Sequence, residues 1–266
     1  MSGRLREIAR QTVAIAEAGE YRTEAGGVVD IGPAVRAAVA GTRLYQPDET
    51  LPPPQGGPAK ASVSVTGEST LAAARRLGDD VACLVFASAK NPGGGFLGGA
   101  VAQEESLARA SALYPCLRAA PEFYAFHREQ RDLRYSDRVI HSPGVPVFRD
   151  DKGRLLDVPH RAAFLTAAAP NLGAILRNQP GDAGDVPTIL HRRARRVLAV
   201  AAAHGHRRLI LGGWGCGVFR NEPADVAGAF AAALGEVDLF DEVVFAVYDR
   251  VSGSPVRAAF AAVFGR

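Results

Sequence analysis

Two neighbouring carboxylates and two glycine-dense loops are the residues of this chain best suited to chemistry. Gln103-Glu104-Glu105 follows closely on Asn91-Pro92-Gly93-Gly94-Gly95-Phe96-Leu97-Gly98-Gly99, which comes straight after an apolar run over 81–87. A lone triple glycine reads as a flexible turn, but the crevice beyond the end of a buried strand is where open α/β sheets bind ligands. Three consecutive glycines expose backbone N–H groups without side chains in the way, so a diphosphate or a sugar ring could lie against the chain. A helix starting after them would add its positive end. Acidic residues in a first helical turn also have a plain structural explanation, stabilisation by the macrodipole of about 0.3–1 kcal/mol. Successive helical residues point about 100° apart, so one glutamate can face the loop while its neighbour supports it.

The second loop holds Gly212, Gly213, Gly215 and Gly217, interleaved with Trp214, Cys216, Val218 and Phe219, again between an apolar strand and a helix. It reads as a backbone cradle with aromatic walls. No acidic residue stands where a dinucleotide-binding Rossmann unit needs one, and no lysine has P-loop spacing. Together the loops suggest a phosphate-bearing ligand clasped from two sides. The other reactive side chains form weaker patterns. Cys83, Cys116 and Cys216 are odd in number and contain no CxxC pair, which suggests neither a disulfide framework nor a zinc knuckle. Cys216 as a nucleophile, with His141, His204 or His206 as base, is an alternative without a supporting local signature. His127 and His160 read as structural or surface residues. The run His191-Arg192-Arg193-Ala194-Arg195-Arg196 reads as the solvated face of a helix rather than a nucleic-acid site, although a basic face would add a salt-dependent attraction for a polyanion.

The elements that must position these residues are those of one α/β unit. The chain has 266 residues, 47% hydrophobic and 22% charged, which excludes an extended disordered chain. Of 31 basic residues only Lys60, Lys90 and Lys152 are lysines, and the net charge is +3. No signal-type segment and no membrane-length apolar run is present, so a cytoplasmic location is expected. The spacing predicts a first amphipathic helix ending near Gly19, a proline-rich loop over 45–59, a strand over 61–65, a helix over 70–77 and a strand over 81–87. It then predicts helices over 100–114 and 121–130, with short strands near Val139, near Val147 and over 162–168. Turns are expected at 150–153 and 181–184. The C-terminal part alternates: helix 188–204, strand 207–211, helix 224–234, strand 242–248 and a helix from Pro255. Such alternation predicts a parallel or mixed sheet with helices on both faces. Residues 1–60 are expected to form a helical extension and proline-rich loop packed on a core of 61–266, within a single globular unit.

The segments 86–96, Gln103-Glu104-Glu105 and 215–219 resemble the bacterial-type poly(ADP-ribose) glycohydrolases of the macrodomain superfamily. The seven residues from Phe96 to Ala102 that separate the triple glycine from Gln-Glu-Glu match that family's spacing. The stretch 141–150 is similar to the family's central segment, so the resemblance runs from about Val81 onward and more loosely over the first helices. It implies a macrodomain-like mixed sheet flanked by helices on both faces, with an N-terminal helical extension, that cleaves the ribose–ribose O-glycosidic bond and releases ADP-ribose. By the same resemblance Glu105 is catalytic and Glu104 binds sugar hydroxyls. Gly93, Gly94, Gly95, Phe96 and Gln103 line the substrate, with Asn91 near the ribose hydroxyls. Gly213, Gly215, Cys216, Gly217, Val218 and Phe219 wrap the diphosphate, with Phe219 pressing on the terminal ribose. Val85 departs from the pattern, since many relatives are expected to have asparagine there.

The implied chemistry passes through an oxocarbenium-like state, with one carboxyl serving first as acid and then as base toward water. A carboxyl that gives up a proton near neutral pH needs a raised pKa, for which Phe96, Trp214 and Phe219 would supply apolar walls. No cofactor and no metal are implied. The expected partners are ADP-ribose and poly(ADP-ribose) on modified proteins, with no membrane and no sequence-specific nucleic acid, for a chain acting as a monomer. Alternatives are a mono-ADP-ribosyl hydrolase for a protein or nucleobase linkage, and a non-catalytic ADP-ribose reader.

Overall fold

Val81–Phe86 is apolar at every position and buried along almost its whole length, which requires cover on both faces. The computed structural model, which describes residues 3–249 and 253–265, supplies that cover. In chain order the elements are α1 (Gly3–Ala18), β1 (Glu20–Arg22), β2 (Val28–Asp30), α2 (Gly32–Gly41), β3 (Arg43–Tyr45), β4 (Ser62–Thr66), α3 (Thr70–Leu77) and β5 (Val81–Phe86). Next come α4 (Gln103–Ala110), α5 (Leu113–Arg118), α6 (Pro121–Glu129), β6 (Val139–Arg149), β7 (Leu155–Ala167) and α7 (Leu172–Asn178). The chain closes with α8 (Val186–Ala203), β8 (Arg208–Leu211), α9 (Pro223–Gly235), β9 (Glu242–Ala246) and α10 (Pro255–Phe264).

Seven strands form one mixed sheet in the order β3-β6-β7-β5-β8-β9-β4. β7, β5, β8, β9 and β4 run parallel to their neighbours, while β6 is antiparallel to both β3 and β7. Residues of α2 to α6 pack on one face and residues of α7 to α10 on the other, giving two apolar cores. The fold is the macrodomain-like mixed sheet with flanking helices.

Three differences from the sequence reading have local causes. The helix expected over 100–114 is two helices, because Ser111 is drawn into a bridge with Val147 and Ala112 N–H donates to Pro146 O at 3.0 Å. The short strands expected near Val139, Val147 and 162–168 are two long strands, since a bulge between Ser142 and Val145 absorbs Pro143 and Gly144 without ending the ladder. The first 60 residues are more than a helix and a loop. They also contain the β1–β2 hairpin and α2, and β3 is an edge strand of the main sheet.

Candidate active site

Both glycine loops leave the same end of the sheet, because they follow the neighbouring parallel strands β5 and β8. The first loop turns sharply, with Gly93, Gly94 and Gly99 at φ of 69°, 59° and 81°, values an L side chain adopts with strain. It delivers the chain to Gln103, Glu104 and Glu105, the first turn of α4.

These three side chains are placed differently. Gln103 turns back onto β5: its Nε2 donates to Leu84 O at 2.7 Å and to Thr70 Oγ1 at 3.2 Å, and its Oε1 accepts from Phe86 N–H at 2.9 Å. Its amide is thus used by the protein, and Gln103 fixes the end of the strand. Glu104 is buried, and its Oε2 accepts from Ser88 N–H at 2.6 Å. Burial, helped by the neighbouring Glu105 charge, pushes the Glu104 carboxyl well above the ordinary range. Its Oε1 is shielded and has no hydrogen-bond partner among the described residues. Glu105 is half-buried, and its Oε1 accepts from Gly95 N–H at 3.0 Å. A methyl group on Gly94 would overlap that same oxygen and lie 3.1 Å from Glu104 Oε2, so only glycine admits both carboxyls here.

Several amides of the first loop are taken up inside the protein. Gly94 N–H donates to Asn91 O at 2.9 Å, Gly95 N–H to Glu105, and Phe96 N–H to Gly93 O at 3.2 Å. The loop is folded on itself and on the glutamates. The second loop is the open one. Trp214, Cys216, Arg220 and Asn221 N–H groups are tied within it, whereas those of Gly215, Gly217, Val218 and Phe219 make no hydrogen bond among the described residues. Such a run of free backbone donors suits an anion. Gly215 at φ 75° packs on the Asn221 amide, which is buried beneath it.

Phe96 and Trp214 turn into the cores rather than toward the loop surface. Phe96 is fully buried against Ala9, Ala108 and Tyr114, below the loop, and Trp214 lies in the other core with its Nε1 donating to Ala167 O at 3.0 Å. Phe219 is half-buried and meets the Tyr135 ring at 6.0 Å, so it is the aromatic left at the site. Val218 and Asn91 are exposed on the rim, and Gly213 packs on Val256 and Cys216. Val85 is buried within β5 and offers no hydrogen bond to a ligand.

Cys216 is partly buried, and burial with the Glu222 charge pushes its thiol up to about 12, which leaves almost no thiolate at neutral pH. The histidines weighed as its base engage one another instead. The His141 and His204 rings stack at 3.6 Å, His141 Nε2 lies 2.8 Å from His206 Nε2, and Tyr45 OH lies 2.7 Å from His204 Nε2.

One part of the site escapes the sequence reading. A cavity of about 670 Å³ opens between the ends of β4 and β9, lined by Gly67, Ser69, Thr70, Phe86, Gln103 and the exposed Tyr248. Gln103 connects it to the glutamate pair. A tyrosine just beyond an apolar strand was the signal that could have found it.

Sheet order, loop placement and buried glutamate together define a macrodomain-like hydrolase fold. The model of the microbial-type PARG catalytic domain matches residues 9–150. The structure of poly(ADP-ribose) glycohydrolase from Thermomonospora curvata is 53% identical with a TM-score of 0.89, covering 99% of this chain and 100% of that one. The same protein bound to the inhibitor ADP-HPD matches at 53% identity and a TM-score of 0.89, covering 98% of this chain and 99% of that one. The Deinococcus radiodurans poly(ADP-ribose) glycohydrolase in complex with ADP-ribose is 44% identical with a TM-score of 0.80, covering 88% and 98% of the two chains. No curated protein matches. The chain belongs to the microbial-type poly(ADP-ribose) glycohydrolase family.

Proposed function

We propose that this chain hydrolyses the ribose–ribose bond of poly(ADP-ribose) with Glu105 as its general acid and base. The observation that carries the reading is the contact of Glu105 with the first glycine loop. Gly95 N–H holds Oε1, and among the described residues no hydrogen bond holds Oε2. The reacting ribose lies over Gly94, and the diphosphate takes the open amides of Gly215, Gly217, Val218 and Phe219. Glu105 protonates the leaving 2′-oxygen as the anomeric carbon becomes oxocarbenium-like, then takes a proton from the water that attacks it.

Glu104 has a different part, set by its different environment. With its carboxyl pushed toward the neutral form by burial, it sets less negative charge in the path of an anionic ligand and braces the loop through Ser88 N–H. The adenosine end fits the cavity at β4 and β9, where the Tyr248 ring offers a stacking face. Residues 1–60 cover the core of 61–266, and we place the protein in the cytoplasm as a monomer acting on polymer attached to modified proteins. No helix among the described residues is long and apolar enough to cross a membrane.

Incubation with poly(ADP-ribose) and, separately, with mono-ADP-ribosylated protein tests the linkage. Release of ADP-ribose from the polymer is expected. Release from the mono-modified protein alone would assign the other linkage.

A further inference from the structure

Beside the active site, a groove of about 930 Å³ runs along the outer side of α8, and the proposed activity leaves it without a role. Tyr135, one of its lining residues, meets the Phe219 ring at 6.0 Å, so the groove adjoins the second glycine loop there. From Arg192 to Ala202, both on its wall, the helix rises about 15 Å. The proline-rich stretch 47–54 forms the facing wall. Arg196 holds that stretch in place by donating to Gln46 O and Glu49 O, and its buried Nε has no acceptor among the described residues.

The groove is basic. Arg138, Arg192, Arg195 and Arg196 line it against Asp48, Asp137 and Glu236. Asp137 is shared by Arg192 and the fully buried Arg193, so its charge is already matched twice. Arg195 pairs with Glu236 at 2.6 Å and remains more than half exposed. Arg138 makes no ion pair among the described residues, and its guanidinium sits 3.4 Å above the Phe126 ring. A guanidinium has five donors, so an ion-paired arginine still has some to offer a phosphate. Tyr135 is held at φ 58°, an unusual conformation for a bulky residue, with its ring edge-on to His127. Such strain is maintained where surroundings fix a side chain's direction, and here the direction is toward Phe219.

We infer that this groove binds the stretch of poly(ADP-ribose) on the leaving side of the scissile bond, its arginines meeting the diphosphates and Tyr135 stacking on a base. The inference rests on the polymer-cleaving reading above, and it gives Arg192, Arg195 and Arg196 of the basic run a role. A polyanion laid along arginines makes affinity depend on salt, with a slope that grows with the number of phosphates neutralised. A short substrate would miss most of this contribution.

The test compares wild type, Arg138→Ala/Arg195→Ala and Arg138→Lys/Arg195→Lys on long polymer and on the ADP-ribose dimer, from 50 to 300 mM salt. The alanine pair is expected to raise KM for long polymer about five-fold and to flatten its salt dependence by one to two units of log–log slope. KM for the dimer and affinity for free ADP-ribose should stay within two-fold, and the lysine pair should restore most of the slope. Wild type cutting polymer while the alanine pair cuts it with the same KM and slope would overturn the groove alone. Wild type leaving polymer uncut would bring down the active-site reading and the groove with it. Single-stranded DNA competing for the groove as well as polymer does would make it a nucleic-acid site and overturn the inference.

Discussion

Gly94 and Glu105 share a space that only a hydrogen atom can fill: a methyl group at Gly94 would overlap Glu105 Oε1 and come within 2.9 Å of Cδ. The triple glycine thus sets the position of a carboxylate, more than it binds an anion. Gly94→Ala should fold, with a loss of about 1–2 kcal/mol for an alanine at positive φ. Its hydrolysis of polymer should fall at least about 100-fold, because a shift of one ångström in a reacting group has that effect. Thermal denaturation beside a turnover assay checks both parts.

Cys216 lies in the second glycine loop but is chemically quiet. With its thiol pushed up to about 12, iodoacetamide at pH 7.5 should leave activity within two-fold over a time that fully labels a free model thiol. Cys216→Ser should behave like wild type. Rapid inactivation matched by loss in the serine variant would revive a cysteine nucleophile.

Two buried histidines, His127 and His141, and the half-buried His206 should make the fold acid-sensitive. Burial holds His127 and His206 down at about 4, and burial with the other two histidines of its cluster holds His141 at about 2. In the unfolded chain each returns to about 6.5, so the unfolded state binds more protons below that pH. The stability from keeping them neutral is present above about 6.5 and is lost as pH falls toward 4. Each contributes a slope of about 1.4 kcal/mol per pH unit in that window. Urea midpoints at pH 7.5, 6.5, 5.5 and 4.5 should therefore be level at first and then fall. A midpoint that holds to pH 4.5 would contradict the neutral cluster.

The active-site end of the fold was legible because its strands are short and apolar, and two of them, Val81–Phe86 and Arg208–Leu211, lead into glycine-dense loops. Val81–Phe86, Arg208–Leu211 and Glu242–Ala246 lie where the alternation puts them. The β6–β7 ladder was obscured by Pro143, Gly144 and Pro146, which locally read as breakers; with a partner strand present a bulge absorbs the first two and Pro146 pairs with Arg161. Side-chain direction was the harder matter. Phe96 and Trp214 are apolar residues in the glycine loops, yet each turns inward to a different core, and residue type does not encode that choice. Gln103 looked like a ligand residue because of its neighbours; its amide closes the end of β5, a contact across 17 to 19 residues that spacing does not reveal. Tyr248 stood unremarked at the end of a strand until the fold set it beside Gln103.

Glu105→Gln tests the central claim most directly, since it keeps the size of the side chain and an oxygen for Gly95 N–H while removing the proton chemistry. Calorimetric titration with ADP-ribose, run beside ADP-ribose release from poly(ADP-ribose), separates the two properties. The account predicts a dissociation constant within about three-fold of wild type and turnover reduced by 100-fold or more, the scale typical of general acid–base catalysis. Turnover within a few-fold of wild type in a variant that still binds would contradict it.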